Sequence, residues 1–350
     1  MLFLTTTLPL LLLFRVTQSS LRVAFLSDMH VGESCLPLPY NGTENCTCVL
    51  NDRRAVAYVN SLVPLPDAVI ITGDITSSAW PTQFAKAREI LDDLLPPFFP
   101  VMGNHDVWPY VSEGGNETSG PIGDVLFGET FGDVLRASAN VSAYNPSAAH
   151  NPLWNTTSTF QNYVINLVEP STGSRLAFLA GDWSTRQPAP KPNDGVPGWA
   201  ERGLSDFPGG TLPWLRGALE ALAAQADRPQ KLFLVQHQPV ACPFWVPDFL
   251  FCFGAADKAL LEKALLEKFT EDEVWGVFAG HNHVFQNVTV PFDHWPGFRQ
   301  VEVSASKGDA LDSDVASSVI TVDFVGSRVD LITEHYYSIS KGSWVVTPGL

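Results

Sequence analysis

Residues 21–30, LRVAFLSDMH, carry the pattern that organises the whole chain. An apolar run over 21–26 stops abruptly at Ser27-Asp28-Met29-His30, so a buried strand delivers a carboxylate and an imidazole at its carboxyl end. The same event recurs four times. Residues 68–71 (AVII) run into Thr72-Gly73-Asp74, and 98–102 (FFPVM) run into Gly103-Asn104-His105-Asp106. Residues 231–235 (KLFLV) lead to Gln236-His237, and 274–278 (VWGVF) lead to Ala279-Gly280-His281-Asn282-His283. In open α/β sheets ligands bind beyond the carboxyl ends of the strands, so these five segments are expected to meet in one site although they are spread over most of the chain.

Helical spacing fills the intervals. Residues 53–63 follow a cap at Asn51 or Asp52, and 82–95 carry Phe84, Ile90, Leu91 and Leu94 for one face. Thr211 is placed to cap a helix bearing Leu212, Leu215, Leu219 and Leu222, and 255–269 form the clearest helix of all. After His283 the pattern turns to strands at 286–290, 300–304, 317–322 and 328–332, expected as a meander in a second sheet. Two long stretches, 107–163 and 183–210, read as inserted loops that wall the site and choose its substrate. Trp80, Trp108, Tyr110 and Trp183 lie close in sequence to the motif loops, available either for packing or for stacking on an apolar or aromatic leaving group.

The chain has 350 residues, 45 % of them hydrophobic and 17 % charged, which excludes a disordered, collagenous or coiled-coil protein. Lys and Arg number 21 against 37 Asp and Glu, a formal charge of −16. A chain this acidic is not expected to hold a nucleic acid through bulk charge, because that affinity comes from basic side chains neutralising phosphates. If the protein handles phosphate, some other cation must hold it.

Residues 1–14 (MLFLTTTLPLLLLF) are apolar and are followed by Thr17, Gln18, Ser19 and Ser20, which reads as a signal peptide over 1–20. A membrane anchor would want about 20 apolar residues, and no later stretch reaches that length, so no stable membrane span is expected. Secretion or an endolysosomal location follows. Six N-x-S/T sequons, at Asn41, Asn45, Asn116, Asn140, Asn155 and Asn287, fit a glycoprotein. In an exported chain the five cysteines suggest local disulfides: Cys242 with Cys252, and Cys35 with Cys46 or Cys48, one thiol being left over.

Asp28, His30, Asp74, Asn104, His237, His281 and His283 are oxygen and imidazole donors suited to two close divalent ions, with Asp74 between them. Two dications against two aspartates supply the positive charge that an acidic protein otherwise lacks for a phosphate. The donor set lacks thiolate and accepts zinc, manganese or iron, with zinc favoured outside the cytosol.

The ordered series Asp28-x-His30, Gly73-Asp74, Gly103-Asn104-His105-Asp106, His237 and Gly280-His281-x-His283 resembles the calcineurin-like metallophosphoesterase superfamily. The resemblance implies a four-layer α/β/β/α sandwich, two mixed β-sheets flanked by helices, as a single domain over 21–340 with a tail at 341–350. It implies that Asp28, His30, Asp74 and His283 hold the first metal and that Asp74, Asn104, His237 and His281 hold the second. It further implies in-line attack by a metal-bridging hydroxide, with His105 binding the phosphoryl oxygen or protonating the leaving group. Many members carry Gly-Asp-x-x-Asp, whose second carboxylate orients the histidine, whereas this chain has Ser77 there, so another group must orient His105. His30 and Ser77 also depart from the purple acid phosphatases. What remains is loosely similar to the secreted acid sphingomyelinase-like phosphodiesterases, which implies a small-molecule or lipid phosphodiester as substrate. The alternatives are a phosphomonoesterase and a glycosylated binding protein that has lost turnover. The sequence is silent on the oligomeric state.

Overall fold

The structure is a computed structural model that describes residues 20–36, 40–109, 121–152, 155–186, 203–242, 251–290, 292–308 and 312–348. Residues 1–19 of the stretch read as a signal peptide, together with Tyr110 and Asn116, lie outside the described residues.

Strands β1 (Leu21–Leu26), β2 (Ala68–Ile71) and β3 (Phe98–Pro100) run parallel. Their apolar residues are almost wholly buried, as a strand covered on both faces requires. Strands β13 (Val315–Val325), β14 (Arg328–Ser338) and β15 (Ser343–Pro348) add antiparallel to the free edge of β1, giving the order β15-β14-β13-β1-β2-β3. A second sheet has the order β11-β12-β10-β9-β8-β7-β4. Its members are β11 (Gln286–Thr289), β12 (Arg299–Glu302), β10 (Val274–Ala279), β9 (Lys231–Gln236), β8 (Arg175–Gly181), β7 (Tyr163–Val168) and β4 (Val141–Ser142). Strands β8, β9, β10 and β12 are parallel, and antiparallel β7 and β11 flank them.

The sheets meet face to face through aromatic rings. Phe25 of β1 stacks on Phe278 of β10 with centroids 4.3 Å apart, and Phe324 of β13 sits edge-on to Phe178 and Phe233. Outside the first sheet lie α1 (Thr47–Ser61), α2 (Pro81–Leu91) and α3 (Gly123–Ala137), which bury Val56, Val59, Phe84, Ile90, Phe127 and Phe131. Outside the second lie α4 (Thr211–Ala223) and α5 (Ala255–Leu266), whose Leu215, Leu219, Leu261 and Leu265 pack on Leu232, Leu234 and Val277. The expected four-layer sandwich of two mixed sheets is what forms.

Several sequence expectations need correction. The strands after His283 do not form one meander in the second sheet: β11 and β12 join it, but β13 and β14 complete the first. Apolar periodicity identifies a strand and not its neighbour, and here β1 had an edge to satisfy. Residues 343–348, read as tail, pair as β15 along β14. The stretch 107–163 is no plain loop, because 121–163 holds α3, β4 and the hairpin β5 (Ala148–Asn151) with β6 (Thr156–Thr159). Three glycines in α3 (Gly123, Gly128, Gly132) depress its propensity, yet Phe127, Phe131 and Leu135 return at helical spacing and bury one face. Helix α1 begins one turn before the expected cap, and α2 ends at Leu91.

The walls of the site are pinned by one buried cation. The Arg186 guanidinium, fully buried, pairs with Asp182 at 2.7 Å and Asp124 at 2.9 Å and donates to the Ser184 and Thr159 carbonyls. Burial pushes Asp124 up to about 6 although Arg186 opposes it. Arg186→Met leaves two buried carboxylates without their partner and is expected to cost about 3–5 kcal/mol, read as a lowered urea midpoint with unchanged slope. An unchanged midpoint would show that the triad contributes nothing net.

Candidate metal centre

The five motif loops meet at the carboxyl ends of β1, β2, β3, β9 and β10. Each loop is held by another. The backbone N–H groups of Asp28 and His30 donate to the carbonyls of Gly73 and Asp74, and the N–H of Gly280 donates to that of His237. A Cβ on Gly103 would stand 2.2 Å from the Asp74 backbone nitrogen, and one on Gly280 would stand 1.9 Å from Ser27 Oγ. Those two glycines are in the motifs because the loops they carry touch backbone to carboxylate.

Two acids and four imidazoles converge. His237 Nε2 lies 3.0 Å from Asp74 Oδ2 and 4.0 Å from Asp28 Oδ1, and His283 Nε2 lies 3.2 Å from Asp28 Oδ1. His30 Nε2 lies 3.5 Å from Asp74 Oδ2 and 3.2 Å from His283 Nε2, and His281 Nδ1 lies 3.1 Å from His237 Nε2. Three overlapping donor groups result, each within 4.8 Å: Asp28, His30 and His283 on one side, Asp74, His237 and His281 on the other, and His30, Asp74 and His105 across them. Asn104 is buried in the turn after β3, between Gly103 and His105. Imidazole nitrogens that face each other beside buried carboxylates need a cation or a proton between them, so the donors fit two divalent ions.

The charges agree. Burial pushes Asp28 and Asp74 up, but the imidazoles of His283 and His237 around Asp28, and of His237 and His105 around Asp74, outweigh it and hold both well below the ordinary carboxylate range. Burial pulls His237 down, yet Asp74 and Asp28 raise it to about 10. His30 falls to about 3, through burial first and the charge of Lys307 second.

The residues that aim these side chains were not all visible beforehand. His237 Nδ1–H donates to the Thr72 carbonyl at 2.8 Å, which turns Nε2 toward Asp74. Thr72 Oγ1 donates to Ser27 Oγ, which donates to Asp28 Oδ2 at 2.5 Å. His105 Nδ1–H donates to the Ser77 carbonyl at 2.7 Å, so the orienting group left open by the missing second carboxylate is a backbone oxygen. Asp106 braces the turn, accepting from the N–H groups of Ile75, Thr76 and Gly103, while burial and the Asp74 charge push it up to about 7. Asp28, His30, Asp74, His281 and His283 all have φ between +47° and +84°, a left-handed backbone that non-glycine residues adopt only when their surroundings enforce it.

Other expected residues fall as follows. Cys242 pairs with Cys252 and Cys35 with Cys46, while Cys48 is a buried free thiol. Asn41, Asn45 and Asn155 are exposed, and Asn140 and Asn287 are half-buried. Trp108 and Trp183 are buried in the scaffold, Trp108 donating to the Thr185 carbonyl. Among the described residues no helix is long and apolar enough to cross a membrane.

Residues 21–285 match the family described as Calcineurin-like phosphoesterase. The chain belongs to that family. Its relatives include a probable glycerophosphodiester phosphodiesterase, GpdQ, of Arcobacter nitrofigilis, 34 % identical over 84 residues, 24 % of this chain and 29 % of that one. They also include the GpdQ of Enterobacter lignolyticus, 39 % identical over 51 residues, 15 % of this chain and 18 % of the other. The matches thus span less than a third of these relatives' own lengths. Among solved structures, GAP50, the anchor in the inner membrane complex of Plasmodium, is similar in fold, with a TM-score of 0.50 and 14 % identity over 94 % of this chain and 88 % of that one.

Proposed function

We propose that the protein is an exported, two-metal phosphoester hydrolase that cleaves a small-molecule or lipid phosphodiester. The observation that carries this reading is the convergence of Asp28 and Asp74 with His30, His237, His281 and His283 around a common centre, beside a His105 whose Nδ1 is tied to the Ser77 carbonyl. Asp28, His30, Asp74 and His283 would hold one cation, and Asp74, Asn104, His237 and His281 the other. When bound, the cations would lower the pKa of water and balance the charge of the phosphoryl oxygens. The chain does the rest. With Nδ1–H engaged, His105 as the imidazolium would present Nε2–H to the substrate, there to donate its proton to the departing oxygen or to bond a phosphoryl oxygen. The diester preference is supported by the short matches to enzymes named as glycerophosphodiester phosphodiesterases. Export is supported by the two disulfides and the exposed sequons at Asn41, Asn45 and Asn155.

The test is elemental analysis of the purified protein together with hydrolysis of bis-p-nitrophenyl phosphate and p-nitrophenyl phosphate. Two metals per chain, zinc first among them, and faster cleavage of the diester are expected. Faster cleavage of the monoester would make it a phosphomonoesterase. A protein that stays inactive after zinc or manganese is added back would leave a binding protein on this fold.

A further inference from the structure

A cleft of about 670 Å³ opens beside His283, between the first turns of α1 and the β13–β14 ladder. Its charged lining is unlike the surface of a chain at −16. Besides His283 it presents Arg54, Lys307 and one acid, Glu33. Lys307 and Glu33 pair with each other. Arg54 lies with its guanidinium carbon 4.3 Å from the centre of the Tyr337 ring, and its Nη1 donates to Asn51 Oδ1 at 2.5 Å. Asn51 is itself fixed by donating to the Lys307 carbonyl at 2.8 Å. No described carboxylate forms an ion pair with Arg54, in contrast to Arg53 next to it, which contacts Glu44, Glu89 and Asp93. The first turn of α1, which borders the cleft at Thr47, carries no acidic residue. A guanidinium held over a ring, with donors to spare and a net positive lining, is equipped for a bidentate anion.

We propose that this cleft is a subsite for a second anionic group of the substrate, a phosphate or carboxylate remote from the scissile phosphorus, with Arg54 as its main contact and Lys307 in support. The inference rests on the phosphoesterase reading and deepens it: the substrate carries two anionic centres, one at the metal donors and one against Arg54. A choline-bearing diester, whose distal group is a cation, is then a poor fit.

The probes are propane-1,3-diphosphonate and propylphosphonate, matched except for the distal anion, titrated calorimetrically into the zinc-loaded protein. Wild type is expected to bind the diphosphonate at least about tenfold more tightly, and Arg54→Glu to abolish that difference. Arg54→Lys should restore part of it, because it keeps the charge and loses the fork. Equal affinities in the wild type, no binding of either probe, or a preference that survives in Arg54→Glu would each overturn the assignment. Hydrolysis of bis-p-nitrophenyl phosphate, followed in parallel, tests the parent reading separately. A preference for the diphosphonate without any turnover keeps the anion subsite and removes the enzyme.

Discussion

Asp74→Asn is expected to reduce metal content from about two ions per chain to one or fewer and to lower turnover by on the order of 10³-fold. Asp74 stands between both donor groups, with Oδ2 3.0 Å from His237 and 3.5 Å from His30. The substitution is nearly isosteric. Its amide oxygen still accepts the His105 N–H, now bonded to Asp74 Oδ1 at 2.9 Å, so the fold is kept and the lost quantity is charge. A second signature follows from protons. Without metal, Asp74 and Asp28 keep His237 protonated up to about 10, so loading a cation must release that proton. Affinity for zinc should therefore rise with pH below about 10, by at most about tenfold per unit for one proton, and the rise should be flatter in Asp74→Asn. Calorimetric titration at several pH values with parallel elemental analysis reads both effects. Two bound metals with wild-type turnover in the variant would remove Asp74 from the centre.

Much of the site could be read before the structure because its chemistry sits at strand ends, and an apolar run that stops at Asp, Asn or His marks both facts at once. The motifs placed Asp28, His30, Asp74, His237, His281 and His283 together, and the structure joins them. What could not be read is geometry that leaves no residue-type signature. The Ser77 carbonyl orients His105 through backbone, and any residue at 77 offers a carbonyl. The left-handed backbone at five of the proposed ligands is imposed by cross-loop hydrogen bonds such as Asp28 N–H to Gly73 O, which depend on partners distant in sequence. Arg186 lies in the stretch 183–210 that reads only as an inserted loop, and nothing in its residue type marks it as the buried cation that pairs with Asp124. Strand β13 was legible as a strand, but its partner depended on which edge of β1 stayed uncovered once β2 had taken the other.

His105→Ala is expected to leave both metals bound and to reduce kcat by about 10²–10⁴-fold with little change in KM. The argument starts from what holds the ring. Nδ1 is committed to the Ser77 carbonyl, and the ring sits edge-on to His30 with centroids 4.6 Å apart, so Nε2 is the nitrogen proposed to act. Two roles are open to it, and they separate by leaving group. If His105 protonates the departing oxygen, the variant should lose far more with a diester whose leaving group is an alkyl alkoxide than with p-nitrophenolate, which departs without a proton. If it only bonds a phosphoryl oxygen, the loss should be the same for both, because that oxygen carries its charge whatever leaves. Steady-state kinetics of wild type and variant on two such diesters, with metal content checked in each, distinguish the cases. The dipolar Ser77 carbonyl favours the first role less than a carboxylate would, since it stabilises the imidazolium by partial charge alone. The leaving-group dependence should therefore be present but weaker than in relatives that place a second aspartate there, and Ser77→Asp provides the comparison. A variant that keeps wild-type kcat on both esters would leave His105 a structural residue and the catalytic proton without a donor.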